Sequence, residues 1–325
     1  MADALLLLAD DVRGALDMPS LIDAMSEAFD AYSSGRAELP GVIHLDVPEA
    51  RGEIHVKAGH LHGGARYAVK VASGFYGSDP PALDGLVLVF DATDGSLAAL
   101  LLDGGYLTDA RTGAAGGLAA RHLAPERVET VAVLGTGAQA RHQLDALACE
   151  RSFDLVRLWG RDPAHARSCA SELEVRGLPA SRFDVVRTPG DAVRGAEVVL
   201  TCTAATEPLV RAEWLAPGVH VTAVGADGPA KRELEPAVLG RADLVVVDSR
   251  DQCARFGELH HALDAGVLSV GAVVELGEIA GGHRPGRISE EQITVCDLTG
   301  VGVQDVAAAA LVLDRARADA DRIRR

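Results

Sequence analysis

The amino-terminal part of the chain combines helical and β-prone patterns. Apolar residues recur with a helical period at 17–34, after the helix-start signals Asp17 and Pro19, and again at about 108–123. Short β-prone runs lie between these helices, at 53–56, 67–71, 86–90 and 97–102, the last two flanking the hairpin signal Asp94-Gly95. The mixture predicts an α+β domain over residues 1–124.

Downstream of Pro125, short apolar strands alternate with helical segments. The predicted elements are strand 131–134, helix 138–149, strand 155–159, helix 164–175 and strands 198–201, 219–224 and 244–247. Because such alternation is typical of a parallel, doubly wound sheet, we predict an α/β fold with a Rossmann-type domain over 125–304. An Ala-rich pattern at 305–325 ends in Arg residues and predicts a terminal helix that folds back on the first domain.

Composition excludes several classes of protein. Apolar residues make up 48% of the chain, enough for a sizeable core, and the net charge of −16 argues against nucleic-acid binding. No apolar run approaches the roughly 20 residues that span a bilayer. Met1–Asp10 lacks the basic region and cleavage site of a signal peptide, and the five scattered Cys suit a reducing compartment. We expect a cytoplasmic protein that binds neither nucleic acid nor membrane.

Lysine is rare in this chain. Of 31 basic residues, only Lys57, Lys70 and Lys231 are Lys. A Lys retained against that bias is either a chance survivor or a position that needs a compact, titratable ammonium. Lys70 interrupts an apolar strand, and Arg111 lies near the start of the second helix. Each is either paired with a core carboxylate or part of a binding site.

A glycine motif follows the first strand of the second domain. The run Gly135-Thr136-Gly137-Ala138-Gln139-Ala140 has the Gly-x-Gly-x-x-Ala spacing, between a predicted strand and a predicted helix. Its first glycine permits a tight turn, its second lets a pyrophosphate approach the backbone, and its small Ala140 lets helix and strand pack closely. The amides and dipole at the helix start favour phosphate binding. The sequence therefore predicts a dinucleotide site.

The residues after the next strand concern cofactor choice. NAD-selective sites usually carry an acidic side chain there for the ribose 2′-hydroxyl, but this chain has Gly160 followed by Arg161. A guanidinium suits a 2′-phosphate, which favours NADP(H). Alternatively, Arg161 is solvated and Asp162 binds the ribose, so NAD(H) is possible.

These features resemble the ornithine cyclodeaminase/μ-crystallin family. The matching segments run in the family's order across nearly the whole chain, at 67–74, 103–123, 134–139, 201–208, 221–234 and 297–305. The most specific is the run from Val224 to Leu234. The resemblance implies a homodimer whose α+β domain binds substrate and pairs with its partner, while the Rossmann-type domain carries a nicotinamide cofactor.

The resemblance also implies roles for single residues. Lys70 would contact the substrate carboxylate and Asp227 would act as the acid/base, which makes them the predicted catalytic pair. Arg111 would lie near nicotinamide and substrate, and Thr299 would line the substrate pocket. The further residues implied at the cofactor are Ala138, Gln139, Thr201, Thr203, Val221, Val224, Lys231 and Leu298. An α-amino or α-imino acid needs such cations for its carboxylate and a titratable group for its nitrogen.

The chain departs from the family's pattern in the substrate region. Val42 stands where many relatives have a carboxylate-binding Arg, and His55 stands where cyclodeaminases have an acidic residue. Lys57 lies on the same strand face as His55 and either replaces that Arg as a carboxylate ligand or is an exposed edge-strand Lys. We expect no metal at His55, His60 and His62, because no acidic or Cys ligand accompanies them at a recognisable spacing.

The sequence thus predicts an NAD(P)-dependent enzyme acting at the α-carbon of a small amino or imino acid. A cyclodeaminase would use its cofactor catalytically. An NADPH-dependent reductase of ketimines such as Δ1-pyrroline-2-carboxylate, or an alanine-type dehydrogenase, would consume cofactor at each turnover. The segment at Asp227 favours the cyclodeaminase, whereas His55 and the Gly160-Arg161 pair favour the reductase. A non-catalytic cofactor-binding protein of the crystallin type is a further alternative.

Overall fold

The chain folds into two compact units, residues 1–111 with 301–325 and residues 112–300. The computed structural model describes residues 4–75, 77 and 82–323, with side chains up to residue 318. The divisions lie at 111/112 and 300/301, whereas the sequence pattern placed them at 124/125 and 304/305. The first difference arises because Ala120 and Ala124 belong to the hydrophobic core of the second unit.

The first unit is built on a seven-stranded sheet. Its elements up to residue 102 are β1 (Leu5–Leu8), α1 (Ala9–Ala15), α2 (Met18–Ser33), β2 (Ala37–Glu38), β3 (Ile43–Val47), a 3-10 turn (Pro48–Ala50), β4 (Gly52–Leu61), β5 (Arg66–Phe75), β6 (Ala82–Asp91) and β7 (Leu97–Leu102). The next helix, α3 (Tyr106–Leu123), runs through the division at 111/112, so its residues up to Arg111 belong to the first unit and the others to the second. The strand order is β1-β7-β6-β5-β4-β2, with β3 also paired to β4. β1 is parallel to β7, and the other pairs are antiparallel.

Local signals explain several of these elements. Asp17 caps α2 by accepting the Ser20 N–H at 2.9 Å, and Leu21, Met25 and Phe29 form its buried stripe. The predicted hairpin at residues 94–95 joins β6 to β7. The predicted strands at 53–56, 67–71 and 86–90 lie within β4, β5 and β6, each of which has ten residues. Alternating polar residues hid the full length of these strands.

The second unit contains an eight-stranded sheet whose strand pairs are all parallel. Its elements are β8 (Thr130–Leu134), α4 (Ala138–Glu150), β9 (Leu155–Trp159), α5 (Pro163–Glu174), β10 (Arg182–Val185), α6 (Pro189–Val193), β11 (Val198–Thr201), β12 (His220–Ala223), α7 (Pro236–Arg241), β13 (Leu244–Val247), α8 (Arg250–Cys253), α9 (Gly257–Asp264), β14 (Val274–Glu275), α10 (Leu276–Ala280) and β15 (Thr294–Asp297). The strand order is β10-β9-β8-β11-β12-β15-β13-β14. The predicted doubly wound fold is confirmed.

This strand order creates a topological switch beside β8. The chain first extends the sheet to one side through β9 and β10, and then returns to the other side of β8 with β11. Ligands bind at such a switch, at the carboxyl ends of the strands. The neighbouring strands β8, β11 and β12 are buried along their whole length, as expected for a sheet covered on both faces.

The last helix, α11 (Gly302–Ile323), belongs to the first unit and packs against α2, β4 and β5. The helix was predicted over residues 305–325. It begins three residues earlier, at Gly302, and residues 324 and 325 lie outside the described residues. Gly302 permits a close approach, since a Cβ there would lie 2.7 Å from the Ala58 carbonyl oxygen of β4. In the part of the chain that is described, no helix is long and apolar enough to cross a membrane.

Candidate functional site

The predicted cofactor residues follow the carboxyl ends of three neighbouring strands in the second unit. Residues 135–140 follow β8, residues 160–162 follow β9, and residues 202–205 follow β11. Parallel strands end at one edge of the sheet, so these segments meet at the switch point. They line a cleft of about 210 Å³. Its lining residues are Gly135, Thr136, Gly137, Trp159, Gly160, Arg161, Cys202, Thr203, Ala204, Ala205 and Leu209.

The glycine motif shapes one wall of this cleft. Gly135 has a φ of +130°, and a Cβ there would lie 2.7 Å from both the carbonyl oxygen and the Sγ of Cys202. Only glycine fits this position. Gly137 precedes α4, and a Cβ built on it meets nothing within 4 Å, which leaves open space beside the first turn of the helix. Ala140 is fully buried, as the close-packing role predicted.

Arg141 braces the same loop. Its Nη1 donates to the carbonyl oxygens of Thr136 at 3.0 Å and Gly137 at 2.9 Å, while its Nε donates to Glu172 at 2.8 Å. These charge-assisted hydrogen bonds fix the conformation of the turn that precedes α4. Sequence reasoning did not single out Arg141, although it directly follows the glycine motif.

The segment after β9 holds the residues predicted to choose between cofactors. A Cβ at Gly160 would lie 2.6 Å from the Cγ2 of Thr136, so any other side chain would collide with the glycine loop. Arg161 is exposed and lines the cleft. Asp162 instead caps α5, because its carboxylate accepts the Ala164 N–H at 2.7 Å. That hydrogen bond lowers the pKa of Asp162.

A buried carboxylate ties the ends of β11 and β12 together. Glu233 is 0% exposed and accepts four hydrogen bonds. The donors are the hydroxyls of Thr201 (2.8 Å) and Thr203 (2.7 Å) and the backbone N–H groups of Thr203 (2.6 Å) and Gly225 (2.8 Å). Burial raises the pKa of Glu233 to about 7, although the hydrogen bonds lower it. Thr203 lines the cleft, whereas Thr201 is buried and its hydroxyl is held by Glu233.

The predicted acid/base follows β12. An Oδ1 of Asp227 lies 2.6 Å from the Nζ of Lys231, so the structure brings these two predicted site residues together. The side chain of Asp227 is half exposed. His261 contributes to the position of this loop, because its Nε2 lies 2.9 Å from the Lys231 carbonyl oxygen.

Four other residues predicted to contact the cofactor or the substrate lie deeper in the second unit. Val221 is fully buried, and its side chain packs in the hydrophobic core of the sheet. Val224 and Leu298 are also buried, at the ends of β12 and β15. The Thr299 hydroxyl donates to Asp248 at 3.0 Å. The ligand contacts assigned to Val221, Val224, Leu298 and Thr299 stay predictions.

The remaining predicted residues form a buried cluster in the first unit. The Nζ of Lys70, on β5, lies 3.1 Å from the carboxylate of Asp305, on α11. Arg111, on α3, donates its Nε to the same carboxylate at 3.0 Å and its Nη1 to Gln304 at 2.9 Å. The sequence allowed Lys70 and Arg111 to be either paired with a core carboxylate or part of a binding site. The structure shows that both are paired with the carboxylate of Asp305.

The charges of this cluster are strongly coupled. Burial and the nearby charge of Arg111 lower the pKa of Lys70 to about 7, against the opposing effect of Asp305. Burial alone would raise the pKa of Asp305, but Lys70, Arg111 and Lys57 together hold it below its ordinary value. Because Lys70 and Arg111 share one carboxylate, the cluster suits a further anionic group.

Lys57 and His55 lie on one face of β4, as strand alternation predicted. Lys57 is the cross-strand neighbour of Lys70 and is partly buried, which excludes an exposed edge-strand Lys. His55 lies 3.8 Å from Glu53, measured from Nε2 to Oε2. Within residues 4–75, 77 and 82–323, no three His, Cys, Asp or Glu residues are grouped so as to hold a metal ion.

Sequence reasoning missed three residues that fix predicted site residues in place within their own units: Asp305 in the first unit, and Glu233 and Arg141 in the second. Asp305 ends the last segment that matches the family, and Glu233 lies within the most specific one. Their membership in those segments was the available signal. Their partners became evident only in the folded chain, because α11 brings Asp305 to β5 and neighbouring strands bring Glu233 to Thr203.

Known proteins share this architecture. The model of the ornithine cyclodeaminase/mu-crystallin family matches residues 2–320. An uncharacterized cyclodeaminase of Sinorhizobium fredii is 41% identical over 308 residues, which cover 92% of each chain. Among solved structures, an archaeal alanine dehydrogenase dimer with bound NAD is 33% identical, with a TM-score of 0.88 and 97% of each chain covered.

A second solved structure also matches this chain over almost its whole length. The Δ1-pyrroline-2-carboxylate reductase of Thermococcus litoralis, in complex with NADH and L-proline, is 27% identical with a TM-score of 0.92. The match covers 97% of this chain and 98% of that one. The resemblance predicted from the sequence motifs is confirmed over almost the whole length. The chain belongs to the ornithine cyclodeaminase/mu-crystallin family.

Proposed function

We propose that this chain is an NAD(P)-dependent oxidoreductase that reduces the α-carbon of a small imino acid, and oxidises the matching amino acid in reverse. Family membership supports an enzyme of amino or imino acids that uses a nicotinamide cofactor. The observation that carries the proposal is the cluster of Lys70, Arg111 and Asp305, where two buried cations share one carboxylate.

The cleft of the second unit fits a dinucleotide. The open space beside Gly137 and the first turn of α4 suit a pyrophosphate, and Arg161 with Gly160 would hold the adenosine ribose. When bound, the nicotinamide supplies or accepts the hydride. Arg161 lines the cleft while Asp162 caps α5, which supports NADP(H) over NAD(H).

In the first unit, Lys70 and Arg111 would bind the substrate carboxylate and so orient the α-carbon. Both are buried and held by Asp305, so a carboxylate meets donors that are already positioned. Lys57 adds a third cation next to Lys70 on the sheet. A substrate with a second ammonium group would meet like charge here, which disfavours diamino acids such as ornithine.

Asp227 would move the proton at nitrogen. Reduction requires a protonated imine, hydride addition to its carbon then yields an amine, and the amine takes up one further proton. A half-exposed carboxylate bonded to Lys231 is able to exchange that proton with solvent. Thr299, Leu298 and Val224 would complete the surroundings of substrate and cofactor.

Isotope transfer tests this proposal. Purified protein is incubated with Δ1-pyrroline-2-carboxylate and with NADPH or NADH in which both hydrogens at nicotinamide C4 are deuterium, so that hydride transfer from either face carries the label. The product is analysed by mass spectrometry. We expect proline with one deuterium at its α-carbon. Unlabelled product, or no product with either labelled cofactor, would contradict hydride transfer to that carbon.

A cyclodeaminase is the second candidate function. The name of the Sinorhizobium fredii relative supports it, as does the Asp227 segment. Such an enzyme would release ammonia from a diamino acid with only a trace of cofactor. The cation Lys57 beside Lys70 favours the reductase.

We further propose that the chain is a cytoplasmic homodimer. The archaeal alanine dehydrogenase is a dimer, and apolar side chains of the first unit are exposed on neighbouring strands. Leu6 and Leu8 of β1 are 58% and 53% exposed, and Leu102 of β7, the register neighbour of Leu8, is 40% exposed. Apolar surface of this kind favours a protein partner. Light scattering is expected to give twice the mass of 33.8 kDa, and a monomer would contradict the proposal.

A further inference from the structure

We propose that Glu233 is a positioning residue for the cofactor: it holds the cleft segment 202–205 in its binding conformation and ties that segment to the loop that carries Asp227. The inference rests on the proposed function only in taking the ligand of the cleft to be a nicotinamide dinucleotide. Glu233 lies outside the set of residues that line the cleft, so it acts through Thr203 and Gly225.

The hydrogen bonds of Glu233 are saturated and specific for a carboxylate. Its Oε1 accepts both the N–H and the hydroxyl of Thr203, and its Oε2 accepts the Thr201 hydroxyl and the Gly225 N–H. A carboxylate has about four acceptor sites, and all four are used. The two backbone N–H groups point at different oxygens. An amide in this place would therefore direct its NH₂ group at one backbone N–H, whichever way it is turned.

The carboxylate is itself rigidly placed. The backbone N–H groups of Glu233 and Leu234 donate to Glu258 at 2.7 and 3.0 Å. A Cβ at Gly225 would lie 2.6 Å from the Glu233 Cδ and 2.0 Å from the Thr203 carbonyl oxygen, so the segments are in close contact. A displacement of Glu233 would consequently shift both segments.

Protonation of Glu233 should make the affinity for the cofactor depend on pH. Its pKa lies at about 7, because it is buried. The charges of Glu233 and Glu258 on α9 oppose each other, and Glu233 likewise opposes ionisation of Cys202 after β11; Asp297 of β15 adds a further acidic group beside Glu258. A protonated Glu233 has an O–H in place of one acceptor site, so either a backbone N–H loses its acceptor or the hydroxyl of Thr201 or Thr203 must turn to accept that O–H; both rearrange the four hydrogen bonds. Cofactor binding should therefore weaken as the pH falls through about 7.

The matched comparison is Glu233→Gln against Glu197→Gln. Glu197 also accepts two backbone N–H groups, those of Glu129 (3.2 Å) and Thr130 (2.8 Å), but at the amino end of β8, opposite the cleft. Dissociation constants for NADPH and NADH are measured by fluorescence titration without substrate, between about pH 6 and about pH 8, a range that spans the pKa of Glu233. Thermal unfolding of each variant is recorded beside them.

We expect Glu233→Gln to weaken cofactor binding about tenfold at the upper pH, the size of one lost hydrogen bond, and to flatten the pH dependence relative to the unmodified protein. Glu197→Gln should leave both the affinity and its pH dependence unchanged. Equal affinities and parallel pH profiles in Glu233→Gln and the unmodified protein would overturn the inference, as would equal losses in both variants. If the unmodified protein bound neither cofactor, the proposed function would fail first and this inference with it.

Discussion

The ammonium of Lys70 and the carboxylate of Asp305 lie 3.1 Å apart in the interior of the first unit, although 235 positions separate the two residues in the chain. The contact joins β5 to α11, and Arg111 bonds to the same carboxylate. Asp305 therefore stabilises two buried cations and presents them together. This arrangement connects the stability of the unit with its proposed capacity to bind a substrate carboxylate.

Removing this carboxylate should destabilise the protein. Asp305→Asn leaves Lys70 and Arg111 buried without their counter-ion, and we expect the free energy of unfolding to fall by about 3–5 kcal/mol. Denaturant titration measures the change. The control is Asp314→Asn on the same helix. Asp314 forms a 2.9 Å ion pair with Arg66, but the side chain of Asp314 is exposed to solvent. The pair should therefore contribute at most ~1 kcal/mol to the free energy of unfolding. Similar losses in the two variants would contradict the account.

Substrate affinity should depend on the charge of Lys70. Its pKa of about 7 means that the ammonium is lost as the pH rises through neutrality. The KM for the imino acid should therefore increase on the alkaline side of that pKa, while the KM for cofactor does not follow it. In Lys70→Arg the charge persists, and the alkaline increase in KM should vanish. An unchanged KM–pH profile in this variant would refute the assignment of Lys70 to the substrate carboxylate.

Asp227 should contribute to turnover and little to binding. We expect Asp227→Asn to lower kcat about 10²–10⁴-fold, because the proton at nitrogen loses its positioned exchange group. The dissociation constants for cofactor, and for a non-reactive carboxylate such as pyrrole-2-carboxylate, should change little. Lys231→Gln, which removes the partner at 2.6 Å, should move the pH optimum instead. Full activity in Asp227→Asn would exclude the proposed proton transfer.

Cofactor preference should depend on Arg161. If its guanidinium binds the 2′-phosphate, Arg161→Ala should raise the KM for NADPH about tenfold or more, while the KM for NADH stays nearly constant. Steady-state kinetics with both cofactors decide the point. Gly160→Asp should not produce an NAD-selective enzyme, because its Cβ would collide with Thr136. Equal effects of Arg161→Ala on both cofactors would contradict a phosphate contact.

Much of the second unit was predictable because its signals are local. The Gly135–Ala140 motif, the strand before it and the helix after it occupy adjacent positions in the chain, and the observed bounds of β8 and α4 lie within one residue of the predicted ones. The parallel, doubly wound sheet followed from the alternation of strands and helices. The place of Arg161 beside the cleft followed from its position after β9.

The buried connections were not predictable, because they depend on distant partners. A Lys within an apolar strand requires a counter-charge, yet nothing near Lys70 in the sequence identifies Asp305. The residues next to Glu233 in the sequence likewise give no sign of its partners. Its four hydrogen-bond donors reach it only because β11 and β12 are neighbours in the sheet. The burial of Val221 in the core was also not evident from its place in a segment that matches the family.

The most direct test of the central claim is the stoichiometry of NADPH oxidation, followed by absorbance after Δ1-pyrroline-2-carboxylate is added to the purified protein. An imine reductase consumes one NADPH for each proline formed, and we expect a faster reaction with NADPH than with NADH. Ornithine with a trace of cofactor should release no ammonia. Ammonia release from ornithine, together with no loss of either reduced cofactor in the presence of the imine, would contradict the reductase and identify a cyclodeaminase.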